Sequence, residues 1–437
     1  MAAFKNSKFW NGVKTFFKNK ITIMLLFTAL FLLIYRLGVF IQLPFIDRDF
    51  YTDISSSMFG FLDVFSGGAL SNFSILALGI SPYITASIII QLLKMDIIPV
   101  LKEWSEEGET GKQKLNQLTK YLALGLAFVQ SLTLTVGISV TYENTLFIAG
   151  TDVTPFLFVY LAIVATAGTA FVLWIAEKIT KRGIGNGTSM LIVAGILASY
   201  PEMFSELIKK YLTEGGGTAG NIITFFVVLV LFLVIIIGIV FMEAAQRKVP
   251  IQYANRPATS TFRGKHDSNI PIKLNSASVI PVIFAGTLMS IPTTIVNFMD
   301  ETNTTYWIKQ IFSYSEPIGF VLYMMLIFVF SFFYSFLQMN PENMSENLQK
   351  QNAYIPGIRP GAETASYISR LIFKITMLGA TYLAIVAAIP IVMSMIFDLP
   401  ASFQIGGTSL IIVVGVAVET VKQMKTQKQE KQYRGFI

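Results

Sequence analysis

Apolar residues fall along this chain in long runs separated by short polar stretches, and the runs approach the roughly 20 residues that cross the hydrocarbon core of a bilayer. Ten runs stand out, near 21–41, 72–93, 117–140, 154–176, 184–203, 221–243, 275–298, 316–338, 371–393 and 405–423. The pattern predicts ten transmembrane helices. The fifth run has the shortest apolar core and is glycine-rich at its start. Ahead of the first run, "FKNSKFWNGVKTFFKNK" places Phe9, Trp10, Val13, Phe16 and Phe17 on one helical face with most lysines off it. That spacing predicts an amphipathic helix over 1–20 lying in the membrane interface. A removable leader is not expected, because the run from Ile21 is long enough to span and no small-residue cleavage site follows it.

Two of the runs contain prolines in matching places. Split five and five, the second run of the first set carries Ile80-Ser81-Pro82 and the second run of the other set carries Ile280-Pro281. A proline in a helix interior costs about 3 kcal/mol, and in lipid the freed carbonyl needs another partner. Interrupted helices at corresponding positions of two halves point to an inverted repeat with its site at the interface between them. The same prolines also fit the general tolerance of membrane helices for Pro and Gly. The halves are read as 21–203 and 204–423, with a basic tail at 424–437.

Composition agrees with the pattern. Only 14% of the residues are charged, against about 25% in soluble domains. The positive charges are distributed unevenly. Lys5, Lys8, Lys14, Lys18 and Lys20 precede the first run, and "EKITKRG", the 246–273 stretch and the end of the chain are basic, whereas the 42–71 and 141–153 connections are acidic. By the positive-inside rule both termini face the cytosol. The connections 244–274 and 339–370 are then the long cytosolic ones. Both are rich in turn residues flanked by β-branched and aromatic ones and are expected to form hairpin-like projections.

Candidate chemistry is sparse. There is no cysteine, and the single histidine, His266, sits in a polar stretch far from any second ligand, so neither a metal site nor a cofactor is expected. "GETGKQK" (108–114) has Glu106 and Gln113 where a phosphate loop needs glycine and Ser or Thr. "RGIGNG" lies between two runs without strand–loop–helix context. No nucleophile–base pair can be assembled, and an enzyme is not expected. Ion-coupled carriers hold ionisable groups inside the membrane, but here Arg36, Glu177, Arg370, Lys374 and Glu419 lie near run ends, where they can snorkel. An apolar constriction that excludes ions by dewetting fits better. The alternatives are an ion-coupled small-molecule transporter with inverted repeats and a scaffold or insertase without a pore. The segment "MFGFLDVFSGGALSN" (58–72) is too short to cross. It reads either as an interfacial helix or as a small helix hinged at Gly67-Gly68 and folded into a funnel.

Four motifs in order now carry a resemblance over essentially the whole chain: "GISPYITASIIIQLL" (79–93), "GIGNG" (183–187), "NLQKQNAYIPGIRPG" (347–361) and "GGTSLIIVV" (406–414). The chain resembles the SecY/Sec61-alpha family, central subunits of protein-conducting channels. The resemblance implies an all-α polytopic membrane protein, ten transmembrane helices in two pseudo-symmetric halves around a central pore, in the bacterial cytoplasmic membrane. It implies a pore ring of Ile80, Ile84, Thr188, Ile192, Ile280 and Ile412. Thr188 departs from the family's usual apolar residue, although its hydroxyl could bond to the i−4 carbonyl. A plug is implied over 58–70, with Phe59, Phe61, Leu62, Val64, Phe65, Gly67 and Gly68. A lateral gate between the second and seventh spans takes in Ile80, Pro82, Thr85, Ser87, Ile280 and Leu288. Arg359 matches the family's functionally important arginine. Arg247, Lys248, Arg256, Arg263 and Lys265 form a basic cluster for docking a motor or a ribosome. The implied partners are SecE-like and SecG-like small subunits, a SecA-like motor, the ribosome, signal-sequence-bearing polypeptides and membrane lipids.

Overall fold

The computed structural model describes residues 20–46, 63, 66–94, 97–141, 147–148, 153–214, 219–253, 268–296, 299, 302–313, 316–397, 399 and 401–434. The interfacial helix expected before Lys20 lies outside them. So do the plug residues Phe59, Phe61, Leu62, Val64 and Phe65, the basic residues Arg256, Arg263 and Lys265, and His266.

In chain order the helices are α1 (Lys20–Val39), α2 (Ser81–Leu93), α3 (Pro99–Glu106), α4 (Glu109–Thr141), α5 (Pro155–Arg182), α6 (Gly187–Ile208) and α7 (Ala219–Ala244). Strands β1 (Gln246–Tyr253) and β2 (Ser268–Lys273) follow, then α8 (Ile280–Val296), α9 (Asn303–Phe312), α10 (Pro317–Gln338) and α11 (Pro341–Lys350). Strand β3 (Ala353–Tyr354) leads to α12 (Ala362–Phe397) and α13 (Ala401–Arg434). Each of the ten predicted runs has its helix. Seven of these helices, α1, α4, α5, α6, α7, α10 and α12, are long and apolar enough to cross a membrane. The second and seventh spans, α2 and α8, are shorter apolar helices.

The second span differs most from expectation. A helix over 72–93 is predicted, but the chain runs through turns until Ile80 and becomes helical only at Ser81. Positive φ values at Gly67, Gly68, Phe73 and Gly79 bend the incoming segment back on itself. Pro82 therefore stands in the first helical turn, where its missing N–H has no intrahelical partner to lose. The proline starts the helix and does not break it. Pro281 likewise occupies the first turn of α8.

Helix α4 packs along α2 and α5, α8 packs on α10, and α12 packs on α10 and α13. Helix α13 also packs on α7 of its own half and reaches across to α1 and α6, so the last span joins the two halves. A large buried cluster accordingly draws on both: Ile80, Leu191 and Ile196 from one half, Val282, Ile391 and Ile412 from the other. Several Thr hydroxyls on these helices donate to the carbonyl one turn back, as Thr166 does to Ala162 at 2.7 Å and Thr169 to Ala165 at 3.2 Å, which hides them from lipid.

The two long connections form one structure. Strands β1 and β2 pair antiparallel as a hairpin, with Arg247 opposite Ile272 and Lys248 opposite Pro271. The 339–370 connection, expected as a second hairpin, is instead the short helix α11 followed by β3, which pairs with β1 to give the order β2-β1-β3. Val249, Ile272, Leu348, Ala353 and Ile355 bury a shared apolar core against Ile368, Ile372 and Ile375 of α12. That burial explains why one connection folds onto the other.

Candidate functional site

The ends of three helices determine the candidate neck. Ile80 is the N-cap of α2, in αR conformation without a side-chain cap, and is 2% exposed. Ile84 N–H donates to the Ile80 carbonyl at 3.2 Å, so the two side chains lie one turn apart on one face. On α6, Asn186 caps the helix by accepting from the Thr188 backbone N–H at 3.1 Å and from the Thr188 hydroxyl at 2.8 Å. The hydroxyl is thus engaged at the cap and not on an i−4 carbonyl. Ile192, one turn further on, is buried, as is Ile412 of α13. Ile80, Ile192 and Ile412 belong to the same buried cluster, with Ile84 packed against it. Ile280 is half-buried at the first position of α8 and is not a member of that cluster, whereas Val279, Val282 and Ile283 around it are.

Beside the candidate neck, the turn at 66–71 is held by Tyr35, Arg36 and Asp63, none of them among the expected site residues. The Tyr35 hydroxyl donates to the Ser66 carbonyl at 2.9 Å, and the Arg36 guanidinium donates to the Gly67 carbonyl. Arg36 does not snorkel to a surface, as expected from its place near a run end; it points inward. Asp63 accepts from the Ser71 backbone N–H at 2.9 Å and from the Ser71 hydroxyl. Gly67, at φ +72°, lies so close to α6 that a Cβ there would sit 2.8 Å from the Gly195 Cα. An arginine inside an apolar run was the available signal, since a charge at that depth needs a partner.

Pro82 is buried, while Thr85 and Ser87 are half-buried on α2, where Gln91 Nε2 donates to the Ser87 hydroxyl at 3.3 Å. Leu288 is exposed on α8. Among the described residues α2 and α8 have no extended packing with each other; each is carried by helices of its own half. A seam between them would separate without dismantling a packed interface.

On the three-stranded sheet, Arg247 and Lys248 are exposed on β1. Arg359 is exposed between Ile358 and Pro360. Its turn is braced through the main chain: the Thr364 hydroxyl donates to the Arg359 carbonyl at 2.8 Å and the Ser345 hydroxyl to the Gly361 carbonyl at 2.8 Å. The side chain is left outside that scaffold.

A family model described as SecY matches residues 74–421. The protein translocase subunit SecY of Bacillus licheniformis is 44% identical over 422 residues, covering 96% of each chain, and that of Bacillus subtilis is 41% identical over 422 residues with the same coverage. Among solved structures, a protein-conducting channel superposes with TM-score 0.63 at 18% identity, covering 93% of both chains. Sec61 from a canine ribosome–channel complex of the endoplasmic reticulum superposes with TM-score 0.60 at 18% identity, again over 93% of both. These last two establish the fold, and the bacterial relatives are protein translocase subunits.

Proposed function

The chain belongs to the SecY family of protein translocase subunits, and on that premise we propose that it is a passive channel for unfolded polypeptides in the bacterial cytoplasmic membrane, with both termini cytosolic. The observation that supports the reading is that Ile80, Ile192 and Ile412, from three helices and both halves, belong to one large buried apolar cluster, with Ile84 packed against it. A neck of branched aliphatic side chains refuses ions because wetting it is unfavourable. It binds no particular sequence, so an extended chain of any composition can pass. Ile280 and Thr188 complete the proposed ring. The 58–70 segment closes the funnel as a plug, and separation of α2 from α8 along Pro82, Thr85, Ser87 and Leu288 releases hydrophobic segments into lipid.

Nothing in the chain supplies energy. The drive comes from outside, from a SecA-like motor or a ribosome docked on the two long connections through Arg359, Arg247, Lys248 and the basic residues Arg256, Arg263 and Lys265. The lysines and arginines suit phosphates or an acidic protein surface. SecE-like and SecG-like subunits complete the assembly in the membrane.

The absence of native cysteines makes the test direct. Single cysteines are placed at Ile84, Ile192 and Ile412, and one in a secretory polypeptide stalled halfway across reconstituted membranes. Disulfides are expected at all three and not at the exposed Val230 of α7. Transport without disulfides at any of the three would move the polypeptide path elsewhere.

A further inference from the structure

Glu243, in the last turn of α7, is a carboxylate only 5% exposed. Burying such a group costs several kcal/mol even after relaxation, so its presence calls for a reason beyond stability. Its main hydrogen-bond donor is the Asn275 side-chain amide, Nδ2 to Oε2 at 3.1 Å, and Asn275 is itself buried. Lys422 of α13 donates from Nζ to the Glu243 main-chain carbonyl at 3.2 Å. Lys273, at the end of β2, adds a second nearby positive charge, opposed by Glu419.

The location of this knot matters more than its strength. The chain leaves α7 two residues after Glu243, forms the β1–β2 hairpin, and returns through Leu274 and Asn275 to begin α8 at Ile280. Leu274 N–H donates to the Ala245 carbonyl at 3.0 Å, and the Ser276 hydroxyl to the Lys273 carbonyl at 2.8 Å, closing the hairpin at its root. Behind the root, α12 passes so close that a Cβ on Gly379 would lie 2.8 Å from the Leu274 carbonyl oxygen. The root is therefore closely packed, and only residues 276–279 separate Asn275 from the start of α8, the helix bearing Ile280 and Leu288.

We infer that Glu243 and Asn275 are positioning residues that lock the hairpin to α8 and α13, so that docking on the sheet moves the gate helix. The inference rests on the docking and gating reading above. Energy travels between sites through packed elements with two arrangements, and this knot is the buried polar link between the docking sheet and the gate.

The test uses the assembled channel in nanodiscs, with a solvatochromic fluorophore on the exposed position L288C and ribosomes carrying a signal-sequence chain. In the parent the emission shifts on docking. In Asn275→Ala and Glu243→Ala the shift falls about fivefold or more, while ribosome Kd changes by less than about threefold. Glu243→Gln keeps an acceptor for the Asn275 amide and retains the shift. A full shift in both alanine variants overturns the inference. Loss of ribosome affinity in step with loss of the shift also overturns it, because a root that serves only to fold the hairpin behaves that way. A parent that binds ribosomes without any shift defeats the gating reading itself, and the coupling with it.

Discussion

Tyr35 and Arg36 are adjacent on α1, and both spend their polar atoms on carbonyls of one turn, those of Ser66 and Gly67. A side chain that bonds to main chain holds a backbone in place whatever side chains that backbone carries. Tyr35→Phe removes one such bond, worth about 1 kcal/mol, and shifts the ratio of held to released turn roughly fivefold. Ion leak through proteoliposomes in the absence of substrate is expected to rise by that order; an unchanged leak would mean that the turn is held by its other contacts alone. Asn186 does a comparable task for α6, where its side chain accepts from both the backbone and the hydroxyl of Thr188. Asn186→Ala is expected to lower the stability of the complex by about 1 kcal/mol, the usual value of a lost N-cap, read as a lowered unfolding midpoint of the purified protein. It also frees the Thr188 hydroxyl beside the neck, so its leak should exceed that of the parent.

At the scale of elements, Pro82 separates two accounts of the second span. In a helix interior its replacement by alanine would relieve about 3 kcal/mol; at the first turn, where the structure has it, Pro82→Ala should change stability by less than about 1 kcal/mol. Thermal unfolding of the two proteins side by side distinguishes them. This element also shows how far the sequence could be read. The apolar run was visible from 72, because hydropathy reports burial and not hydrogen bonding, and residues 74–80 are as apolar as the helix that follows. The start at Ser81 depends on left-handed turns at Gly79 and Phe73, and a phenylalanine gives no warning of a positive φ. The ring candidates came from the resemblance of the motifs around them and not from spacing alone; the structure buries Ile80, Ile192 and Ile412 in one large apolar cluster with Ile84 packed against it. Partners of Arg36 and Glu243 were not legible, since a single charge in a run does not say which distant carbonyl or amide will meet it. Nor was the pairing of β3 with β1, a contact across about a hundred residues made by two short strands.

For the whole molecule, that pairing means that the two long connections present one surface. Arg247 and Lys248 stand on a sheet with its own buried core on α12, and Arg359 stands in the turn between β3 and α12. On the proposed docking reading, a motor or ribosome gripping any of them would pull on all, and through the hairpin root on α8. The weight each residue carries in docking is then a matter of exposure and not of stability. Arg359 is exposed, and the turn beneath it is braced by hydroxyls of Thr364 and Ser345 on main-chain carbonyls, none of which involves its side chain. Arg359→Glu should therefore leave expression, partner assembly and unfolding midpoint at the parent values, within the roughly 0.5 kcal/mol typical of surface substitutions. Driven translocation should fall steeply, because the reversed charge repels the anionic surface that the arginine met, and like charges brought together at an interface cost several kcal/mol. The decisive comparison is between driven transport and passive leak in the same vesicles. If leak and assembly stay at parent values while driven transport is lost, the arginine acts at the docking surface. If all three fall together, it holds the fold, and the sheet's role as a platform would have to rest on Arg247 and Lys248.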